Sequence, residues 1–451
     1  MKRIQVVTMG CSKNRVDSEH LMHVLQQRGY ELVPETADLG LGGVDEVVIN
    51  TCGFIQDAKE ESIEAILQAV EAKKQGLVGK VSVFGCLSQR YRQELPVEIP
   101  EVDDWQGVLT FETLGRVLTT PRHYAYLKIA EGCDRTCAYC AIPLIRGPHV
   151  SVPVEDLVEE ARQLAAAGVK ELIVIAQDTT YYGLDRYGKR CLGRLLEQLA
   201  RIDGIEWIRL HYSYPSGFPE DVLHVMADNP KVCPYIDIPL QHSADRVLAM
   251  MRRGIDGRQT RELVARMRRL VPGVVLRTTL IVGHPGEGEA EFSDLLDFVR
   301  ECRFERLGAF TYSEEEGTYG ALHYKDDIPA EVKQERYDRL MELQRGISLA
   351  YNQSRVGQRE RVLVDSYDDG ILVARSRTES PEVDGEILID PTSGQAFPTR
   401  GRTFSGPAEA RGPERTCRST RPAHARPEDR VGQFVDVTIT GANEYDLIAE
   451  I

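Results

Sequence analysis

Short β-branched runs alternate with longer stretches of spaced apolar and charged positions in the first quarter of the chain. The runs cover residues 4–8, 46–50 and 80–84, and each precedes a segment with helical spacing. Strand alternating with helix predicts a mostly parallel sheet that is covered on both faces. We therefore expect an N-terminal α/β domain over residues 1–118.

The same alternation continues through six further units between residues 124 and 313. Six successive βα units favour an open or partial barrel, whose chemistry lies at the carboxyl ends of its strands. We expect a partial (β/α)6 barrel over residues 119–350. Its strand candidates are residues 126–130, 171–176, 206–210, 235–240, 274–282 and 306–312.

A charged helical stretch over residues 329–353 leads into a region with a different pattern of hydrophobic and polar residues. Short alternating or β-branched runs separated by Gly and Asp-Gly turns predict a small all-β barrel over residues 351–451. Within it, residues 391–430 are about a quarter Pro plus Gly and hold eight Arg, a composition typical of a flexible insertion. The runs are residues 360–364, 370–374, 385–389 and 434–440.

The composition of the 451 residues narrows the class of protein. A total of 55 Lys and Arg against 70 Asp and Glu gives a net charge of −15, which disfavours nonspecific binding to nucleic acid or anionic membrane and attracts a basic partner. No apolar run reaches the roughly 18 residues of a membrane helix, and the N-terminus lacks the long apolar segment of a signal peptide. We expect a soluble, unprocessed, cytoplasmic protein.

Three of the ten cysteines follow the three N-terminal runs. In a reducing cytosol, thiols of this kind are better interpreted as free thiols or metal ligands than as disulfides. Because parallel strands end at one edge of a sheet, Cys11, Cys52 and Cys86 should converge there. A single thiol of this kind is more often a buried core residue, but three at matching strand ends favour a shared role.

Cys133, Cys137 and Cys140 form a CxxxCxxC motif directly after the first strand of the predicted barrel. Three thiolates at this spacing can hold three irons of a cubane cluster and leave the fourth iron open to a ligand from solution. The alternative is a zinc site, which needs a fourth protein ligand, and His149 is the nearest histidine downstream. The spacing alone leaves both alternatives open.

In its barrel context, this motif resembles that of the radical S-adenosylmethionine (SAM) enzymes. The resemblance implies a four-iron four-sulfur cluster whose free iron chelates the methionyl group of SAM, and reductive cleavage of SAM to a 5′-deoxyadenosyl radical. It further implies that Tyr139 lies by the adenine and that Gln177 and Asp178 contact the methionyl amine. Gly283, in the loop after the fifth strand, lets the backbone approach a ligand closely.

The segments around Cys11, Cys52 and Cys86 resemble the N-terminal domain of the methylthiotransferases within that superfamily. The resemblance implies that these thiols ligate a second four-iron four-sulfur cluster. An open iron there can carry the sulfide or methylsulfide to be inserted, while one SAM gives the methyl group and another the radical. We therefore expect two clusters that face each other.

The branches of the methylthiotransferase family differ in substrate. Residues 16–19, 86–91 and 176–183 look like the RimO-type branch, which modifies an aspartate of small-subunit ribosomal protein twelve at its β-carbon. The transfer RNA branch, which modifies a hypermodified adenosine, typically has Gly-Gln-Asn-Val-Asn in place of the last segment. The resemblance also implies an electron donor such as flavodoxin or ferredoxin.

The charge of the C-terminal region, which looks like a TRAM domain, is an independent argument about the substrate. Residues 351–451 hold 13 Arg, no Lys and 17 Asp plus Glu; without the insertion, 5 Arg and 13 acidic residues remain, a net charge of −8. This charge is unsuited to phosphate contacts and suits a basic ribosomal protein. The Arg-rich insertion leaves transfer RNA open as the alternative substrate.

The remaining candidates receive no catalytic role. His284 stands where the family more often has Phe, and an ordinary loop histidine is the simpler interpretation of it. His242 belongs either to a pocket or to a satisfied polar group, and Arg146 either holds a carboxylate or ends a helix. A noncatalytic metal scaffold or electron carrier stays the alternative from another class, although a six-unit barrel is more than a carrier needs. The cysteines without ligand spacing are three packing thiols, Cys191, Cys233 and Cys302, and one exposed loop thiol, Cys417.

Overall fold

The computed structural model describes residues 1–111, 113–391 and 426–451. These residues form two parallel sheets with their helices and a small closed β-barrel, in that order along the chain. The α/β class with a C-terminal all-β barrel, which the hydrophobic pattern predicts, is confirmed. Within the described ranges, no helix combines the length and the hydrophobicity that a membrane crossing requires.

The N-terminal sheet has five strands, all paired in parallel, in the order β2-β1-β3-β4-β5. The three strands that the sequence predicts are the central ones. The edge strands β2 and β5 are only three and two residues long, too short to show an alternating pattern. The elements are β1 (Arg3–Thr8), α1 (Ser12–Gln27), β2 (Glu31–Val33), β3 (Val44–Thr51), α2 (Gln56–Lys74), β4 (Val78–Gly85), α3 (Cys86–Arg90), α4 (Leu95–Glu98) and β5 (Asp104–Trp105).

The central sheet has six parallel strands, and its two edge strands do not pair with each other, as a partial barrel requires. Its strand order is β13-β12-β11-β10-β9-β6. The elements are β6 (Tyr124–Lys128), β7 (Ala130–Glu131), α5 (Ile142–Arg146), β8 (Val150–Ser151), α6 (Val154–Ala166), β9 (Glu171–Ile175), α7 (Leu184–Tyr187), α8 (Leu192–Ala200), β10 (Trp207–Leu210), α9 (Glu220–Asp228), β11 (Val232–Asp237), α10 (Asp245–Met250), α11 (Gly257–Leu270), β12 (Val275–Val282), α12 (Glu289–Cys302), β13 (Arg306–Thr311), α13 (Tyr319–His323) and α14 (Ala330–Ser354).

The two faces of the central sheet are covered by different parts of the chain. In β6, Ala125 and Leu127 pack into the large core formed with the barrel helices. Tyr124 and Tyr126, which alternate with them, point to the opposite face and pack against Val16 of α1. The first helix of the N-terminal sheet therefore lies on the inner face of the partial barrel, next to the carboxyl edge of its own sheet.

The C-terminal barrel is closed in the order β14-β15-β16-β18-β17 around a core of Val, Leu, Ile and Ala side chains. The predicted runs fall on four of its strands. Most of the predicted insertion, and Cys417 with it, lies outside the described residues. The strands are β14 (Arg359–Asp368), β15 (Ile371–Arg375), β16 (Ile387–Ile389), β17 (Phe434–Ala442) and β18 (Leu447–Glu450).

The connection between β15 and β16, residues 376–386, lies against the inner face of the central sheet. Tyr126 donates its hydroxyl to Glu382 at 3.0 Å, and Tyr235 donates to Asp384 at 2.7 Å. The barrel itself contacts the start of the central strand β9, where Arg375 pairs with Glu171 at 2.7 Å and Lys170 donates to the Gly432 carbonyl at 2.7 Å. It therefore lies at the amino half of the central strands. The carboxyl edge, where β6 leads into the Cys133 loop, faces the N-terminal sheet instead.

Candidate active site

The thiols of Cys11, Cys52 and Cys86, here called the N-terminal triad, come together at the carboxyl edge of the N-terminal sheet. Cys11 caps α1 after β1, Cys52 follows β3, and Cys86 begins α3 after β4. The Cys11 thiol is close enough to both other thiols for its charge to raise their pKa values. The predicted convergence therefore follows from the strand topology.

Glycines beside the N-terminal triad let its turns approach each other closely. A Cβ built on Gly10, whose φ is +87°, would lie 2.8 Å from Cys52 Sγ. A Cβ on Gly53 would lie 2.7 Å from the Cα of Leu87. Only a residue without a side chain fits at these two contacts.

Polar side chains fix the backbone around the N-terminal triad. Asn14 donates its amide to the carbonyls of Met9 and Thr51, at 2.9 and 3.0 Å, and so joins the turns after β1 and β3. Ser62 accepts from the amide of Cys52 at 3.0 Å. Burial raises the pKa of Cys52, and it raises that of Cys86 to about 12. The thiols must therefore release protons when they bind a metal.

Cys133, Cys137 and Cys140, here called the central triad, lie in the loop between β7 and α5. The loop is fixed by local backbone bonds, such as the 3.0 Å bond from the Cys133 amide to the Gly147 carbonyl. Burial raises the pKa of Cys133 to about 11 and that of Cys140 to about 12, where the Cys137 charge adds to the effect. These are again thiols that lose a proton on metal binding.

Two side chains from the barrel contact the central triad. Arg253 donates to Cys137 Sγ at 3.3 Å and to the Tyr139 hydroxyl at 3.2 Å. The Tyr214 hydroxyl lies 3.6 Å from the same sulfur and donates to the Arg253 carbonyl at 2.8 Å. A guanidinium next to a thiolate lowers the cost of burying its negative charge.

The described residues offer no fourth protein ligand that would complete a zinc site at the central triad. No three His, Cys, Asp or Glu side chains within the described ranges are grouped tightly enough to hold a single metal ion. A cubane places its ligands on separate irons, so its thiolates need not be that close. His149 contacts the hydroxyl of Ser151, at 3.2 Å, and the ring of Tyr181.

Arg146 joins the N-terminal triad to the barrel. Its guanidinium donates to Cys86 Sγ at 3.1 Å, to Asp17 at 2.9 Å and to Glu131 at 2.9 Å. It also donates to Asn14. Of the two alternatives that the sequence left for Arg146, the structure supports the carboxylate-binding one, and it adds a thiol to the partners.

Apolar contacts bring the two triads to the same interface. Cys86 of the N-terminal triad packs in one buried cluster with Ala141 and Ile145. Ala141 directly follows Cys140 of the central triad. The two triads thus approach each other from opposite sides of the boundary between the sheets.

The residues predicted to contact SAM differ in what their side chains do. Gln177 donates to Glu131 at 2.6 Å, and its Oε1 is buried without a partner. Asp178 is fully engaged, because it accepts from Arg135 at 2.7 Å and from the amide of Thr180 at 2.9 Å. Gln177 is therefore the one with an acceptor left for a ligand.

Gly283 and the histidines near it form a buried group behind the barrel edge. Gly283 has a φ of +74°, and a Cβ there would lie 2.3 Å from Lys333 Cγ, so its backbone conformation and its packing both favour glycine. Burial lowers the pKa of His284 to about 4, which leaves it neutral at pH 7. His242 Nε2 lies 3.3 Å from Glu287, which also pairs with a buried arginine of α14.

Buried polar atoms without partners indicate that the barrel edge accommodates a ligand. The described residues leave four such atoms at this edge: Gln177 Oε1, Ser213 Oγ, Gln241 Oε1 and Arg253 Nε. Buried polar groups are normally hydrogen-bonded, so a set of this kind calls for partners that the chain does not supply. The donor set and the thiols fit a SAM-bound iron–sulfur cluster.

Two residues of the site carry no sequence motif that reveals their roles. Lys13 reaches from α1 to the ring of Tyr212, with 3.2 Å between Nζ and the ring centroid. Arg253 reaches the central triad from the far side of the barrel. Both contacts join segments that are distant in sequence, and a single sequence contains no signal for them.

Three family models match consecutive parts of the chain. The radical SAM superfamily matches residues 127–299, the uncharacterized protein family UPF0004 matches residues 3–107, and the TRAM domain matches residues 356–404. The fold is similar to that of the radical SAM methyltransferase TsrM of Kitasatospora setae. The cobalamin- and cluster-bound structure has a TM-score of 0.52 at 13% identity over 83% of this chain and 81% of that one. A second TsrM structure, with tryptophan and aza-SAM, has a TM-score of 0.51 at 14% identity over 68% and 73%.

The barrel and its thiol loop define a radical SAM enzyme, a class that implies a four-iron four-sulfur cluster and SAM. Proteins named ribosomal protein uS12 methylthiotransferase RimO are similar over the whole chain. The protein of Porphyromonas gingivalis ATCC 33277 is 49% identical over 100% of this chain and 99% of its own, and that of Bacteroides thetaiotaomicron is 46% identical over 100% and 98%. That of Parabacteroides distasonis is 53% identical over 86% and 92%. The chain belongs to the RimO family of radical SAM methylthiotransferases.

Proposed function

We propose that this chain inserts a methylthio group at the β-carbon of an aspartate in ribosomal protein uS12. The observation that carries the proposal is the pairing of two thiol triads at one interface, in a chain about half identical to RimO proteins over its full length. The name of those relatives supplies the substrate. The acidic C-terminal barrel is suited to a basic ribosomal protein.

Two clusters and two SAM molecules divide the chemistry. When bound, the cluster of the central triad and SAM supply a 5′-deoxyadenosyl radical, and the cluster of the N-terminal triad supplies the sulfur. Gln177 Oε1, which is buried without a partner, would accept from the methionyl amine, and Arg253 would compensate thiolate charge beside Tyr139. Arg146 holds the two sides of the site together through Cys86 and Glu131.

The proposal extends to organisation and surroundings. Residues 1–118, 119–350 and 351–451 act as the methylthiotransferase, radical SAM and TRAM-like domains. A small electron carrier such as flavodoxin or ferredoxin supplies the reducing electrons. The enzyme modifies uS12 in the cytoplasm, where uS12 is either free or bound in the ribosome.

Iron analysis tests the two-cluster part. After anaerobic reconstitution, the chain should hold about eight irons, and Cys52→Ala and Cys137→Ala should each hold about four. Cys302→Ala, which changes a buried thiol of α12 outside both triads, is the matched control and should keep about eight. Four irons in the wild-type chain would contradict the second cluster.

Product analysis tests the substrate. Reconstituted enzyme with SAM and reductant should increase the mass of uS12 by one methylthio group in exchange for hydrogen. Modification of transfer RNA but not uS12 would favour the adenosine-modifying branch. If no 5′-deoxyadenosine forms under reduction and Cys137→Ala alters nothing, the chain is a carrier or scaffold.

A further inference from the structure

Lys13 is a buried cation at the boundary between the two triads. Its side chain comes from the first turn of α1, two residues after Cys11, and the residue is 8% exposed. Among the described residues, no carboxylate lies within the 4.0 Å of an ion pair with Nζ. Buried lysines are normally paired, because an unpaired charge is expensive to remove from water.

The carboxylate whose charge reaches Lys13 is already occupied by other donors. Asp237 is one of the charged groups that interact with Lys13 at longer range. Its two oxygens accept from Arg277, at 2.9 Å, and from the amide of Tyr212, at 2.9 Å. The charge of Asp237 is thus balanced by Arg277, so the Lys13 ammonium has Tyr212 and the Cys11 thiol as its near partners and no carboxylate of its own among the described residues.

The barrel holds Tyr212 in a strained conformation beneath Lys13. Tyr212 has a φ of +57°, a left-handed value that side-chain-bearing residues rarely adopt. The Tyr212 amide donates to Asp237. The Tyr212 carbonyl accepts from the amide and the hydroxyl of Thr179, at 3.1 and 3.2 Å. Strain that several bonds maintain is typical of ligand-binding positions. Here it presents the aromatic ring to the ammonium group at 3.2 Å.

Helix α1 adds a further preference for an anion at this position. No side chain caps its first turn, and that turn holds no acidic residue. The amino end of a 16-residue helix favours negative charge. A negative group beside Lys13 would therefore interact favourably with both the ammonium and the helix.

We propose that Lys13 binds the carboxylate of the substrate aspartate, with the Tyr212 ring holding the ammonium in place. In aspartate, the carboxylate carbon is bonded directly to the β-carbon. When Lys13 holds the carboxylate, the β-carbon therefore lies one bond from the carboxylate carbon. The Lys13 ammonium is close enough to the Cys11 thiol for their charges to interact, which puts the β-carbon on the side of the N-terminal triad. Asparagine would lack the charge, and glutamate would displace the reacting carbon by one methylene. This inference rests on the proposed function, and it makes Lys13 the residue that selects aspartate over asparagine and glutamate.

The test is a double-mutant cycle on binding. The affinity of reconstituted enzyme is measured for uS12 and for uS12 with the target aspartate changed to asparagine. Lys13→Met should weaken binding of uS12 by about 30-fold, the loss typical of removing one partner of a buried charge pair. It should weaken binding of the asparagine form by less than about threefold. Lys13→Arg should keep the preference for aspartate.

The matched control is Lys2→Met, an exposed lysine next to β1 at the amino edge of the sheet, which should leave both affinities unchanged. The melting temperature of the substrate-free protein is a second readout. Because Lys13→Met removes a buried charge that has no carboxylate partner in the substrate-free protein, it should leave that temperature unchanged or raise it.

The experiment distinguishes a failure of the proposed function from a failure of the role assigned to Lys13. If wild-type enzyme neither binds nor modifies uS12, the proposed function is wrong. If wild-type enzyme prefers aspartate and Lys13→Met keeps that preference, or lowers both affinities equally together with the melting temperature, then Lys13 does not bind the carboxylate.

Discussion

Arg146 offers a measurable test of how the N-terminal sheet and the barrel are held together. Its side chain is 2% exposed and donates to Asp17 and Glu131, both at 2.9 Å. Arg146→Met keeps the unbranched stem of the side chain and removes the guanidinium with its charge. Breaking a buried pair costs about 3–5 kcal/mol, because the partner carboxylates stay buried. Lys128 still contacts both of them, so we expect the lower end, about 3 kcal/mol.

The change should depend on pH in a defined direction. Although burial raises the pKa of Glu131, Lys128 and Arg146 bring it down to about 2. A lowered carboxyl pKa stabilises the folded protein above the ordinary value of 4.5 and loses that contribution as the pH falls toward 2. Without Arg146, the pKa of Glu131 lies higher. The stability difference between wild type and variant should therefore narrow as the pH falls below about 5.

Urea unfolding of the reduced, iron-free protein measures this difference. The chain has only two tryptophans, Trp105 in β5 and Trp207 in β10, so one fluorophore reports on each parallel sheet. A loss of about 3 kcal/mol corresponds to a midpoint shift of about 1 M urea. Arg162→Met, which breaks an exposed pair with Glu159, is the control and should shift neither transition. An Arg146→Met shift no larger than that of the control would refute the reasoning.

Three further predictions concern the thiol sites. Gly10→Ala should lose about four irons, because its Cβ would collide with the N-terminal triad; Gly29→Ala, with a similar φ and open space around it, should keep all of them by iron assay. Because burial raises the pKa of Cys86 and Cys140 to about 12, iron loading during reconstitution should increase from pH 7 to pH 9, and a pH-independent iron content would contradict this. Arg253→Met removes a donor to a thiol of the central triad and should make the midpoint potential of that cluster more negative in a redox titration followed by electron paramagnetic resonance; an unchanged potential would argue against the hydrogen bond.

The thiol positions could be predicted from sequence because they depend on local pattern and topology. Cys52 and Cys86 directly follow buried strands, and parallel strands have only one carboxyl edge at which to end. The same pattern gives the central strands of both parallel sheets to within a few residues. It cannot give β2 and β5, since strands of three and two residues have no period to recognise.

The contacts across the boundary could not be predicted in the same way. Arg146 ends a five-residue helix, which leaves open whether it caps that helix or pairs with a carboxylate. Its actual partners lie on α1, on α3 and in β7, and they meet only after two sheets have packed. Lys13 likewise lies two residues after Cys11 in the sequence, yet its aromatic partner, Tyr212, comes from the edge of the barrel. Interactions of this kind depend on tertiary packing, and hydrophobic periodicity carries no information about which distant segments pack together.

The arginines of the C-terminal barrel show why net charge predicts its partner better than arginine content does. Arg375 is 3% exposed and pairs with Glu171 at the start of β9, and Arg355 is held by Glu379 in the connecting segment. Arg377 donates to the carbonyl of Val232. Arg375 and Arg377 therefore attach the barrel to the first residues of two central strands, while Arg355 is paired within the C-terminal region. None of the three is available to phosphates. Among the residues that the structure describes in this region, exposed acidic side chains such as Asp368, Asp369 and Asp436 outnumber exposed arginines. This charge disfavours contact with a nucleic acid backbone.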